Sequence, residues 1–509
     1  MTVSDRTPVI IGVGEASERI DAGDYAALSP ADLAGRAAKA AVADAGAGDI
    51  ANAIDVVAAI RQFEVSGPRA VAPFGRSNNF PRSVAKRIGA DPARAIWEVV
   101  GGQGPQHLVN EFAHAIAAGE MGVALMTGSE AISTVRHLTS RSETRDWSEE
   151  IEGQIEDRGF GPGLLTMDLV HHGARTPISV YALFENARRA REGKDRAAYG
   201  LEMGRLFAPF TQVAHGNPHA MSREVYSADE LATVTGPNRL TSDPYPRRMV
   251  ARDQANQGAA VLMTSVGRAR ELGVPEDRWV YLWGGADVLE RTPVERQDLS
   301  RGPASVAAAK RAMQAAGVGL GDIGVIDLYS CFPIAVFNIC DGLGLAPDDP
   351  RGLTVTGGLP FFGGAGNNYS MHAIAETVRQ LRARPGAVGL VAANGGFLSK
   401  YSVGIYSTAA RDFQPFDSRP LQAEVDAWAA PSLDQAFEGE AAVETYTIDY
   451  AQASARGVVV ARTPAGARVI AMSDDAAVAG EMIQTDPLCR RVTIAAGEEG
   501  RRQVTGFAG

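Results

Sequence analysis

The chain has 509 residues, of which 45% are hydrophobic and 21% charged, a globular composition that excludes wholesale disorder and predicts about three or four domains. Lysine and arginine number 49 against 60 aspartate and glutamate, a net charge of -11. That balance excludes a broad basic nucleic-acid surface but leaves room for local arginine clusters that hold a phosphate-bearing small molecule. Cys331, Cys340 and Cys489 lack the spacing of a structural zinc site and the even number of a disulfide framework, so no metal centre is predicted.

The first apolar run, Pro8-Val-Ile-Ile-Gly-Val-Gly14, is too short for a signal-peptide core. No segment holds the ~18 uninterrupted apolar residues of a membrane span. A cytoplasmic protein without membrane insertion is predicted. Downstream, Ala37-Ala-Lys-Ala-Ala-Val-Ala-Asp-Ala-Gly46 is matched by Ala308-Ala-Lys-Arg-Ala-Met-Gln-Ala-Ala-Gly317. Each is followed by Gly-Asp-Ile (48–50 and 321–323) and then by an apolar run, Ile54-Asp-Val-Val57 and Ile326-Asp-Leu-Tyr329. Gly122-Val-Ala-Leu-Met-Thr127 and Gly386-Ala-Val-Gly-Leu-Val391 extend the match. Alanine-rich helices stopped by glycine and followed by short strands, in the same order twice, predict two α/β halves with buried sheets.

The N-terminal half is assigned to 1–134 and 226–290 and the C-terminal half to 291–410. Between β-like runs of the first half, 135–225 reads as an inserted loop domain, charged at first and helical over 180–204, that covers a cleft. Residues 411–443 read as a linker with room for one short helix. The strand-like runs of 444–509 predict a small antiparallel β-barrel of the oligonucleotide/oligosaccharide-binding type.

Three stretches resemble the thiolase superfamily, particularly sterol-carrier-protein type thiolases and the related thiolase-like proteins of type 1, which carry a C-terminal barrel and no catalytic cysteine. They are Asn217-Pro-His-Ala220 with Tyr226-Ser-Ala-Asp-Glu-Leu231, Asn256-Gln-Gly-Ala-Ala-Val-Leu-Met263, where Gln257 replaces a thiolase aspartate, and Gly357-Gly-Leu-Pro-Phe-Phe-Gly-Gly364. The resemblance implies a duplicated five-layered α-β-α-β-α fold, a loop domain that contacts coenzyme A, and either a homodimer or a monomer.

Carried over residue by residue, the thiolase machinery is missing. The nucleophilic cysteine, which needs a helix N-terminus to lower its pKa, falls on Gly101, or on Val100 if the alignment slips by one. The acid/base cysteine falls on Ala393 or Asn394. The asparagine that holds an oxyanion-hole water becomes Tyr329, with Cys331 two positions on, and the activating histidine becomes Gly364. Claisen condensation or thiolysis through an acyl-cysteine is therefore not expected.

What stays is a pair of polar glycine-rich turns that feed helices, Gly101-Gly-Gln-Gly104 and Gly363-Gly-Ala-Gly-Asn-Asn-Tyr-Ser-Met-His372, whose N–H groups suit an oxyanion or phosphate. Gly102, Gly104, Gly363, Gly364 and Asn367 are the candidate contacts there, with Arg247 and Arg252 for the phosphates of coenzyme A. Tyr329, Tyr369 and His372 are the candidate catalytic groups. His215 and His219 are four apart but interrupted by Pro218, and the pair His171 and His172 is expected in solvent. No Gly-x-x-x-x-Gly-Lys-Ser/Thr loop, full dinucleotide fingerprint or Gly-x-Ser-x-Gly elbow occurs.

Three functions follow. The first is a thiolase-like protein, an acetyl-CoA acetyltransferase homologue, that binds coenzyme A or an acyl-CoA as ligand, needs no cofactor and lacks thiolase turnover. The second is an aldolase-like enzyme using Tyr329 and Tyr369 as acid and base. The third is a scaffold whose barrel recruits a partner.

Overall fold

The computed structural model describes residues 3–162, 165–451 and 455–508. The first half supplies β1 (Pro8–Ser17), β2 (Val56–Ala59), β3 (Arg94–Trp97), β4 (Ala124–Ala131), β5 (Glu156–Asp157), β6 (Leu240–Ser242), β7 (Tyr245–Pro246) and β8 (Asn256–Ser265). The second supplies β9 (Val280–Leu289), β10 (Ile323–Leu328), β11 (Val388–Gly395) and β12 (Lys400–Ser407). β9 pairs along β12 and so belongs to this half, although the sequence boundary between the halves falls after it, at 290.

The pairing senses repeat between the halves. β1 is antiparallel to β8, β8 antiparallel to β4, and β4 parallel to β2. In the same order β9 is antiparallel to β12, β12 antiparallel to β11, and β11 parallel to β10. The two sheets join edge to edge, with Val9 and Ile10 of β1 opposite Tyr281 and Val280 of β9.

Five layers follow from which faces are apolar. The helices Gly104–Ala118 and Tyr369–Ala383 are sandwiched in one core with Ile10 and Val261 of one sheet and Leu390 and Ile405 of the other. On the far face of the first sheet, Ala34, Ala37, Ala38 and Ala41 of the helix Pro30–Asp44 pack on Val9, Ile11 and Leu262. Small residues let helix and strand approach closely. A Cβ on Gly14 would lie 2.1 Å from the Ala37 carbonyl oxygen, and one on Gly284 would lie 2.7 Å from that of Ala312 in the matching helix Pro303–Ala316. Overfilling either contact costs about 1–3 kcal/mol, so the repeated alanines and glycines are packing surfaces.

The segment between β4 and β8 carries the helices Pro177–Glu192 and Arg196–Gly216. The single helix expected over 180–204 is in fact two. Gly193 takes a left-handed φ of 62° and Asp195 caps the next helix by accepting from the Ala198 N–H at 2.8 Å, a stop and a start in three residues. β5, from the same segment, lies parallel along the outer edge of β3, Ile96 opposite Glu156 and Trp97 opposite Asp157, and so covers that edge.

The C-terminal strands β13 (Gly439–Asp449), β14 (Arg456–Arg462), β15 (Arg468–Ser473), β16 (Arg491–Ala496) and β17 (Arg502–Ala508) close into a barrel around Tyr446, Val459, Ala471 and Val492. Its neighbours are antiparallel except β15 and β17, which run parallel, with the helix Ala476–Gln484 between β15 and β16. The preceding stretch carries the helix Arg419–Asp426.

The barrel is docked on the core. Ser242 of the core hairpin pairs with Asp449 of β13. Buried Arg189 donates to Asp486 at 3.0 Å and to the Tyr446 hydroxyl at 3.1 Å, and the Asn186 amide donates to the Tyr446 carbonyl at 2.9 Å. His172 is buried, against expectation. Its Nδ1 faces Asp168, and its Nε2 accepts from the Arg502 N–H of β17 at 2.9 Å, because the barrel covers the helix that carries it.

Candidate functional site

A cavity of about 610 Å³ opens between the two halves and the inserted segment, a volume in the usual range for a small-molecule site. Its polar lining comes from the carboxyl ends of parallel strands, the usual ligand edge of such sheets. Gly101 and Gly102 follow β3, Tyr329 and Cys331 follow β10, and Asn394 ends β11. Gly364 and Gly366 line it from the second glycine-rich turn. Phe160, Ile178 and Tyr181 close it from the inserted segment, and Phe397 and Lys400 from the β11–β12 connection.

The position that the resemblance assigns to the nucleophile has lost more than its sulfur. Gly101 has φ 147°, a region that side chains avoid, and a Cβ there would meet the Gln103 amide oxygen at 2.2 Å. The same oxygen would lie 2.0 Å from a Cβ on Gly395, so the Gln103 amide fills the space between two glycines. A Cβ on Gly102 would lie 2.3 Å from the Tyr329 hydroxyl and 2.7 Å from the Asn394 carbonyl oxygen. Tyr329 thus places its hydroxyl on the bare backbone of the turn.

Burial, together with Cys331 and Tyr369, pushes the Tyr329 phenol well above its ordinary value. It is protonated at neutral pH and is a proton donor to any oxygen in the cavity. Its ring meets that of Tyr369 edge-on, centroids 5.3 Å apart. Burial likewise pushes the Cys331 thiol up to about 12, with Tyr181 and Asn394 opposing. A thiol at that value is inert. The Asn394 amide donates to the Tyr181 hydroxyl at 3.2 Å, while its Oδ1, buried, has no partner.

The other sequence candidates divide by placement. Tyr369 and His372 are fully buried and stand behind the cavity wall. The Tyr369 hydroxyl bonds the Thr356 hydroxyl at 2.6 Å, and His372 Nδ1 lies 2.5 Å from Glu15 Oε1. Burial opposes the Glu15 charge, yet His372 and Arg379 bring that carboxyl down to about 2. Gly104 begins its helix, and Gly363, at φ 126°, makes room for Gln257, whose Nε2 donates to the carbonyls of His219 and Phe362 at 2.9 and 3.0 Å. The Gly364 N–H donates to the Arg252 carbonyl at 2.7 Å. The Asn367 amide is spent on the Arg61 carbonyl and the Ser66 hydroxyl at 2.7 and 3.1 Å. His215 and His219 point to different partners, the Arg223 carbonyl and the Ser17 hydroxyl.

Arg247 and Arg252 are exposed and flank Val250, Ala251 and Asp253, which line the cavity. Partial burial and the like charges of Arg19 and Arg247 pull the Arg252 guanidinium down. The nearby Asp253 is paired with Arg136 and Arg19 with Asp21. Positive charge therefore accumulates at one side of the cavity.

Duplicated halves around a cleft, with a loop domain inserted in the first, define a protein of the thiolase superfamily. The family model "Thiolase C-terminal domain-like" matches residues 285–408, and "Thiolase-like protein type 1 additional C-terminal domain" matches 420–499. The structure is similar to that of a monomeric SCP2-thiolase like protein type 1 from Mycobacterium smegmatis, at 46% identity and TM-score 0.86 over 99% of this chain and 100% of that one. The chain belongs to the SCP2-thiolase like protein type 1 family. More distant likenesses, of fold alone, are to an Ltp2-ChsH2(DUF35) aldolase (20% identity, TM-score 0.59, 80% of this chain and 99% of that one) and to human mitochondrial 3-ketoacyl-CoA thiolase (17%, 0.57, 80% and 100%). No curated protein matches the sequence. Among the described residues no helix is long and apolar enough to cross a membrane.

Among the polar lining groups that escape motif reading are Tyr181 and Lys400. Lys400 carries one signal in the sequence, a lone charge opening the otherwise uncharged strand Lys400-Tyr-Ser-Val-Gly-Ile-Tyr406.

Proposed function

We propose that this protein binds coenzyme A thioesters in the cavity, with Arg247 and Arg252 contacting the phosphates, and that it does not carry out thiolysis. The observation that carries the reading is the glycine turn at 101–102. It retains a bare backbone facing the cavity, where an acyl group would rest, while the Gln103 amide and the Tyr329 hydroxyl fill the places of a side chain. The test is a thermal-shift titration with coenzyme A and a saturated acyl-CoA beside a 3-ketoacyl-CoA thiolysis assay. Ligand at about 100 times its Kd stabilises by about 2.7 kcal/mol, so an upward shift without turnover is expected. An unmoved transition at millimolar coenzyme A refutes the reading.

A second reading rests on Tyr329, whose protonated hydroxyl lines the cavity beside Gly102. Such a group serves a carbon–carbon cleavage that needs proton transfer and no nucleophile. Tyr369, bonded to Thr356 behind the wall, then positions Tyr329. Loss of turnover in Tyr329→Phe with acyl-CoA binding retained supports this reading, and full activity in that variant eliminates it. β5 covering the edge of β3 supports a monomer, and the docked barrel supports a structural role for that domain.

A further inference from the structure

Lys400 opens β12, is 3% exposed, and lines the cavity. Its Nζ donates to the Val100 carbonyl at 2.7 Å and lies 3.2 Å from where a Cβ on Gly161 would sit. An ammonium has three donors, and this one faces a wall built from Phe160, Pro162 and Phe397. The carboxylate whose charge it feels, Glu98, is paired with Arg158 at 2.8 Å. Among the described residues no carboxylate lies within ion-pair distance of Lys400. A buried cation without a counter-ion is costly, and the cost is removed when an anion fills the adjoining space. Burial accordingly pulls the Lys400 ammonium below its ordinary value.

We propose that Lys400 is an anion-binding group of the cavity and selects acyl thioesters whose acyl chain ends in a carboxylate. The inference rests on the coenzyme A reading above and adds the substrate class to it. Its geometry is set by the turn. The ammonium is held at Val100 and the Tyr329 hydroxyl at Gly102, two residues that lie within ~8 Å along the chain. A thioester carbonyl beside Tyr329 therefore leaves room for a short carboxyacyl chain that reaches Lys400. The aromatic wall takes the methylenes, and the apolar surroundings strengthen the ion pair.

The experiment titrates the full-length protein with coenzyme A, valeryl-CoA and glutaryl-CoA, whose acyl groups have equal carbon number, by isothermal calorimetry. Glutaryl-CoA is expected to bind at least tenfold tighter than valeryl-CoA. Lys400→Met is expected to erase that preference while leaving coenzyme A affinity within about threefold of wild type, and Lys400→Arg to keep it. Equal affinity of the wild type for the two thioesters overturns the proposal without reference to any variant that fails to fold. A preference that survives in Lys400→Met also overturns it. So does an equal loss for both acyl chains in that variant, which marks Lys400 as a contact of the thioester oxygen. If coenzyme A itself does not bind, the parent reading fails, an outcome distinct from these.

Discussion

Gly101→Cys restores a thiol to the position where the resemblance places the thiolase nucleophile, and the structure predicts that it yields a less stable protein without turnover. One cost dominates. A side chain at φ 147° holds a backbone conformation worth about 1–3 kcal/mol of strain. Its Cβ also meets the Gln103 amide oxygen at 2.2 Å, but that is the free end of a flexible side chain, which turns aside at little cost. The backbone strain is an appreciable share of the ~5–15 kcal/mol that ordinarily separates folded from unfolded states. Urea unfolding followed by tryptophan fluorescence reads the loss, and a thiolysis assay reads the chemistry. Adding Gln103→Ala removes the side-chain clash and leaves the backbone strain. The double variant is therefore expected to stay within about 1 kcal/mol of Gly101→Cys, since the backbone strain remains. A Gly101→Cys protein that unfolds at the wild-type urea concentration and cleaves 3-ketoacyl-CoA refutes the reasoning.

Three further outcomes are expected. Arg247→Ala with Arg252→Ala weakens coenzyme A binding by about tenfold or more, since each charged hydrogen bond contributes about 1.5–3 kcal/mol; calorimetry at two salt concentrations checks it, with the wild type the more salt-sensitive. Glu185, fully buried with Tyr199, Tyr245 and the Ile334 N–H at 2.6–2.7 Å, has its carboxyl pushed by burial from 4.5 up to about 7. The folded state then binds the proton more tightly than the unfolded one, so stability from this group is full below pH 4.5 and is lost as pH rises through 7, by up to about 3 kcal/mol. Glu185→Gln is expected to flatten that slope in a pH series of urea midpoints. Asp486→Ala strips buried Arg189 of its carboxylate and costs about 2 kcal/mol. That is less than the ~3–5 kcal/mol for a fully buried pair, because Asp486 is partly solvated; proteolysis of the barrel at native temperature reports the loosening.

The duplication was legible because its signals are local. Alanine every third or fourth residue before a glycine stop marks a helix that packs closely on a strand, and Gly14 and Gly284 meet the alanine helices as that pattern requires. The break at Gly193 was missed because one glycine within a helical pattern is ordinarily tolerated, although Asp195 two residues on is a cap signal that the sequence carries. His172 was expected in solvent because it lies in the inserted segment, whereas the group that buries it, β17, lies more than three hundred residues away. Of the candidate catalytic groups, Tyr329 lies on the cavity, while Tyr369 and His372 lie behind its wall. That division depends on which face of the helix Tyr369–Ala383 meets the cleft, and its polar stripe of His372, Glu376 and Arg379 gathers on Glu15 rather than on the cavity.

By itself the sequence determined the two-fold α/β plan, the strand-rich tail and the family resemblance, since helix and strand periodicity and glycine stops act over a few residues. Tertiary structure alone decided what the cavity contains. Val100, Tyr329, Asn394 and Lys400 are brought to one wall by the carboxyl ends of β3, β10 and β11 and the start of β12. A cation is left without a carboxylate partner among the described residues, a phenol protonated and a thiol inert only when packing from distant segments removes their water.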